Sequence, residues 1–182
     1  FAVLPLLLAL LAAVGLASAQ DALPLHDFAD GAPMGKDANG NDVGFVPWQD
    51  GSSTLELSVV QLVPGSDLAL PGQEAPASAL HVVHGIASWG GFSHVYFGED
   101  VASWTPLDLS AYDGIRFWYK GQGTGGTLQF DFFDNRDPDL PGDSAERFAF
   151  RFVDDTTDWR RIEVPFDQLF RRSDFQPGGA PV

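Results

Sequence analysis

Thr127-Leu128-Gln129-Phe130-Asp131-Phe132-Phe133 and Arg147-Phe148-Ala149-Phe150-Arg151-Phe152-Val153 decide how this chain folds. In each stretch a large apolar side chain stands at every second position: Leu128, Phe130 and Phe132, then Phe148, Phe150 and Phe152. A period of two sends alternate side chains to opposite faces of an extended strand. One face of each strand therefore supplies much of a dry core between two sheets. The other face carries Gln129, Asp131 and Phe133 on the first strand and Arg147 and Arg151 on the second.

The same alternation recurs on either side. Leu55, Leu57 and Val59 share a face in Thr54 to Val60, and further strands are expected at Leu80 to His84, Phe92 to Phe97, Ile115 to Tyr119 and Arg160 to Val164. Gly, Pro, Asp and Asn bound these segments, as turns require. Gln61 to Ser78, with Pro64, Pro71 and Pro76, reads as a long loop, and Gly85 to Gly91 as a glycine-rich turn. Only Phe166 to Phe170, after Pro165, is expected to make a helical turn. Many short strands without a βαβ rhythm predict an all-β fold, an antiparallel β-sandwich or jelly roll.

The 182 residues hold 25 acids and 10 bases, a net charge of -15. Nucleic acid is a poor partner for such a surface, because phosphate binding needs clustered cations. The imbalance is uneven: residues 1 to 110 carry twelve acids and one base, whereas residues 111 to 182 carry thirteen acids and nine bases. There is no cysteine, which excludes disulfides, thiolate metal sites and thiol nucleophiles together. Sixteen of the first nineteen residues are apolar, and they end in Ala17-Ser18-Ala19 before Gln20-Asp21. That small-x-small pattern predicts a secretory signal over 1–19, already begun where the sequence starts, and a mature domain over 20–182 with no membrane span. The expected location is secreted, extracellular or periplasmic.

Chemistry has few footholds. No Gly-x-Ser-x-Gly or His-Glu-x-x-His occurs, and His81 and His84, three apart, fall on opposite faces of a strand. Glycoside hydrolysis needs two carboxylates across the scissile bond. Asp131 opposite Glu146 or Asp143 is the pair the sequence offers, although the same carboxylates can simply be ion-paired with Arg147 and Arg151. Asp134-Asn135-Arg136-Asp137-Pro138-Asp139 lacks the glycine and terminal Glu of a calcium loop. Sugar binding makes a different demand: aromatic faces for pyranose rings, flanked by groups that bond hydroxyls. Trp89-Gly90-Gly91-Phe92 offers two aromatics beside glycines, or alternatively a cap on the core. Arg171-Arg172-Ser173-Asp174-Phe175-Gln176-Pro177 crowds donors, an acceptor and an aromatic into one non-helical stretch.

Asp158-Trp159-Arg160-Arg161-Ile162-Glu163-Val164-Pro165-Phe166, running into Phe170-Arg171-Arg172-Ser173-Asp174-Phe175-Gln176-Pro177-Gly178, resembles a signature run of the family-eleven carbohydrate-binding modules. Trp104, Leu109-Ser110, Asp113-Gly114-Ile115, Phe117-Trp118 and Asp27-Phe28 with Asp30-Gly31 extend the likeness. The complex I intermediate-associated proteins, a related sandwich family, share the Trp and Pro-Phe pattern, but in a mitochondrial setting at odds with a secretory signal. The resemblance implies a jelly roll whose concave face binds a β-glucan chain, usually appended to a secreted glycoside hydrolase. It implies that Arg172 and Asp174 bond hydroxyls, that Phe175 stands where a Tyr stacks, and that Asp143 is a further ligand. It places Trp89 or Phe92 near another stacking aromatic, and Trp48 near one more. It also implies a structural calcium, with Asp27 and Asp30 as hard oxygen ligands, and two further strands beyond Val182. A glycoside hydrolase using Asp131 and Glu146, or a cell-surface adhesion sandwich that binds protein, are the alternatives.

Overall fold

A computed structural model describes residues 22–36, 40, 42–94, 108–134 and 144–177. The expected leader over 1–19, Trp104, Asp143 and the terminal 178–182 lie outside these residues. Ten strands occur among them: β1 (Met34–Lys36), β2 (Asp42–Gln49), β3 (Thr54–Leu62), β4 (Ala77–Gly85), β5 (Gly90–His94), β6 (Gly114–Lys120), β7 (Thr127–Asp134), β8 (Glu146–Val153), β9 (Trp159–Pro165) and β10 (Phe170–Arg171). Every pairing is antiparallel, in the orders β1-β2-β5, β3-β4, β6-β9 and β10-β8-β7. The helical content among the described residues is one 3-10 turn, Phe166–Gln168, where the sequence places it. The chain is an all-β sandwich of antiparallel sheets.

The phenylalanine faces do what their spacing predicts. Sheet β6-β9 lies over β7-β8, with the Phe117 ring stacked on Phe130 at 5.5 Å and Tyr119 meeting Phe152 edge-on at 5.2 Å. Phe132 meets Phe166 of the 3-10 turn at 5.3 Å. These separations lie in the attractive range for aromatic pairs. Ile162 and Val164 of β9 and Ala149 of β8 are buried in this half, and Val43, Phe45 and Leu62 in the half built from β1 to β5. The Trp159 indole ties the halves together by donating to the Leu68 carbonyl at 3.1 Å.

Alternation announces neither the short strands β1 and β10 nor β2, whose pattern Gly44 and Pro47 interrupt. Gly44 takes a positive φ of 80°, and a side chain there would run into the Pro33 carbonyl. Pro47 lacks a ladder donor, yet β1 pairs with β2 only as far as Gly44. Pro47 therefore sits where β2 is an edge, paired on one side with Phe92 of β5.

The β6-β7 connection, Gly121 to Gly126, hangs on one carboxylate. Asp154 accepts backbone N–H bonds from Gln122 at 3.1 Å, Gly123 at 3.1 Å and Thr124 at 3.0 Å, and the Thr124 hydroxyl at 2.8 Å. Asp154 is 5% exposed, and a Cβ on Gly121 would strike its carboxylate. The bonds from Thr124, then from Gly123, hold its pKa well below the usual carboxylate range, while burial pushes the Tyr119 hydroxyl beside it up to about 12.

Candidate carbohydrate-binding face

The register of β7 and β8 sets the outward face of this pair. Gln129 lies opposite Arg151, Asp131 opposite Ala149 and Phe133 opposite Arg147, and directly opposed residues share a face. Strand β10 adds Phe170 beside Ala149 on that face. A continuous chain of hydrogen bonds crosses it. Arg151 donates to Gln129 Oε1 at 2.9 Å, and Gln129 Nε2 donates to Asp131 Oδ1 at 2.7 Å. Arg172 Nη1 reaches Asp131 Oδ2 at 2.6 Å, and its Nε and Nη2 fork onto Asp174 at 3.0 and 2.8 Å. Such forked, charge-assisted bonds fix geometry as well as energy. The bond from Arg172 pulls the Asp174 pKa down to about 2, and the same bond pushes Arg172 upward.

Aromatics flank this chain. Phe175 is 51% exposed with the Arg172 guanidinium 5.7 Å from its ring centre, and Phe170 is 41% exposed with Arg151 at 5.1 Å. Phe133 is covered instead: the Arg147 guanidinium lies 3.5 Å over its ring, and Arg147 is itself only 5% exposed. Alternation places Arg147 on the outward face correctly, but packing buries it there. The loop is fixed by Gln176, whose Oε1 accepts the Arg147 N–H at 2.9 Å and whose Nε2 donates to the carbonyls of Arg147 and Arg172 at 3.0 and 2.8 Å. The Arg172 N–H closes the same junction onto the Arg147 carbonyl at 2.9 Å.

The structure thus brings Arg172, Asp174 and Phe175 together, and adds Gln129, Asp131, Arg151 and Phe170. Asp143 lies outside the described residues. The acid pair of a glycosidase is corrected: Asp131 faces Ala149, and Glu146, opposite Asp134, points to the other side of the sheet. The odd offset between the two forces this. Glu146 is 8% exposed and takes the Arg171 Nε at 2.7 Å, which is a structural ion pair.

Trp89 belongs to a second group. It is 55% exposed in the β4-β5 turn, and its ring lies 6.2 Å from that of Trp48, which is 40% exposed. Trp48 lies across Gly91, where a Cβ would come within 2.9 Å of the indole, and donates to the Ser93 hydroxyl at 2.9 Å. Phe92, one residue on, turns to the other face and approaches Phe45 at 6.4 Å. Asp50 secures the turn: it accepts the Ser53 hydroxyl at 2.6 Å and the N–H groups of Ser52, Trp89 and Ser88 at 2.8, 3.0 and 3.2 Å. The Ser53 bond, then that of Trp89, lowers the Asp50 pKa to about 2. An Asp-Gly-Ser-Ser turn signal was there to be read, but nothing local says that its carboxylate reaches thirty-nine residues ahead.

Asp27 and Asp30 sit on one exposed turn, with Phe28 at a positive φ of 58° between them. Asp27 Oδ1 accepts the Ala29 N–H at 2.9 Å. Calcium takes six to eight oxygens. The donors are of the right chemistry, but among the described residues no third acidic or imidazole group joins them.

No curated protein and no solved structure matches the chain. Residues 27–182 match the family model described as carbohydrate binding domain, family 11, and the chain belongs to that family.

Proposed function

We propose that the β7-β8-β10 face binds an uncharged polysaccharide of the β-glucan type and serves to hold a secreted glycoside hydrolase on its substrate. The observation that carries this is the hydrogen-bonded row from Arg151 to Asp174 between two half-exposed phenylalanines. Arg172 is already neutralised by Asp131 and Asp174, so the face offers paired donors and acceptors and little net charge. Hydroxyl groups suit it better than carboxylates do. Phe175 supplies a stacking face and lacks the hydroxyl that a tyrosine would add.

Affinity electrophoresis against mixed-linkage β-glucan, laminarin and xylan tests the reading. Retardation by a glucan is expected, and unretarded migration in all gels would overturn it. Phe175→Ala should weaken binding roughly tenfold, the loss of one aromatic contact, with an unchanged melting temperature. Unfolding of that variant would make Phe175 structural. A calcium ion held in part by Asp27 and Asp30 belongs to the same proposal. It predicts a lower Tm in EDTA, and no such difference in Asp27→Asn.

A further inference from the structure

The opposite side of the sandwich carries a second surface of different chemistry. In sheet β6-β9 the inward positions Ile115, Phe117, Tyr119, Ile162 and Val164 form the core, and the outward ones alternate with them. Register then pairs Arg116 with Glu163, Trp118 with Arg161 and Lys120 with Trp159 on the outer face. Because Phe117 stacks on Phe130 between the layers, this face points away from the one that bears Arg172 and Phe175. Trp118 is 43% exposed on this face.

Its charges are not neutralised as those around Arg172 are. Arg161 pairs with Glu163 at 2.7 Å, and Lys120 donates to the Thr157 carbonyl at 2.7 Å. Arg116 has no hydrogen-bond or ion-pair partner among the described residues. At the outward positions of the two strands three cations stand against one acid, on a chain of net charge -15. Arg116, Phe117, Trp118 and Arg161 line an open groove of about 330 Å³. A flat indole between guanidinium groups combines a platform for a sugar ring with forks for a carboxylate.

We infer that this groove is a second carbohydrate site, selective for uronic-acid polysaccharide, with Trp118 stacking on the ring and Arg116 pairing with the carboxylate. It stands independently of the glucan reading, because it uses none of the same residues. Affinity electrophoresis of the full chain against polygalacturonate is the test, with dextran sulfate and mixed-linkage β-glucan alongside. Retardation by polygalacturonate is expected, lost in Trp118→Ala and roughly tenfold weaker in Arg116→Gln. Both variants should behave as the parent toward β-glucan, and Phe175→Ala as the parent toward polygalacturonate. Three outcomes would overturn the inference: no retardation of the parent by polygalacturonate, equal retardation by dextran sulfate that survives Trp118→Ala, or a dimer in sedimentation that Trp118→Ala alone dissolves without any uronate binding.

Discussion

Asp50 and Asp154 do the same chemical work in two halves of the molecule, and to different ends. Each is a single carboxylate that gathers three backbone N–H groups and a hydroxyl from the loops around it. Asp154 is buried and closes a glycine-rich connection over the aromatic core, beside Tyr119. Asp50 lies nearer the surface and ends its network on Trp89, an exposed ring paired with Trp48. The same cap is thus a structural plug in one half and an aiming device in the other. What differs is what the capped loop carries, glycines in one case and an indole in the other.

Three measurements sharpen or break that contrast. The largest effect is expected from Asp154→Ala, which takes the shared acceptor from three part-buried N–H groups and a hydroxyl and should lower Tm by roughly 5 to 10 °C in a thermal melt. Asp50→Ala comes next: its Tm should fall by less than half as much, while the near-UV dichroism of the Trp48–Trp89 pair collapses. Equal losses of Tm in the two variants would erase the distinction between plug and aiming device. The smallest effect is on pH. Both carboxylates have folded pKa values below the unfolded value of 3.8, Asp50 at about 2. Each therefore stabilises the fold above about pH 4 and loses that contribution as pH falls toward its folded pKa. Burial also lowers the His94 pKa from 6.5 to about 4, so melts should begin to decline below about pH 6 and fall further below about pH 4, with a shallower fall in the lower range in Asp50→Asn. A Tm that rises on acidification would refute the assignment.

Alternation made β3, β4 and β6 to β9 legible, because a strand with one buried face writes its period into the sequence. It did not reveal β2, where Gly44 and Pro47 break the pattern for reasons that lie in β1 and β5. At the site, the run from Arg171 to Pro177 was visible as a motif, but its hydrogen-bonding partners were not. Asp131 had the right face and the wrong mate: the register that opposes it to Ala149 depends on the whole β7-β8 pairing, and no single residue encodes it. Phe92 illustrates the same limit, since neighbours on a strand look alike in sequence and point to opposite sides. The outer face of β6-β9 was implicit in Arg116, Trp118 and Arg161, but only cross-strand pairing showed that they meet.

The three hydrogen bonds of Gln176 have a thermodynamic consequence. They hold the Arg172-to-Phe175 loop against β8 before any ligand arrives. Ordering a loop on binding costs affinity, and a loop already ordered avoids that loss. Calorimetry of polysaccharide binding should then show a small entropic penalty from the protein side. In Gln176→Ala the enthalpy would persist while the entropy worsens, so that the motif's least conspicuous residue governs how much of the contact energy survives as affinity.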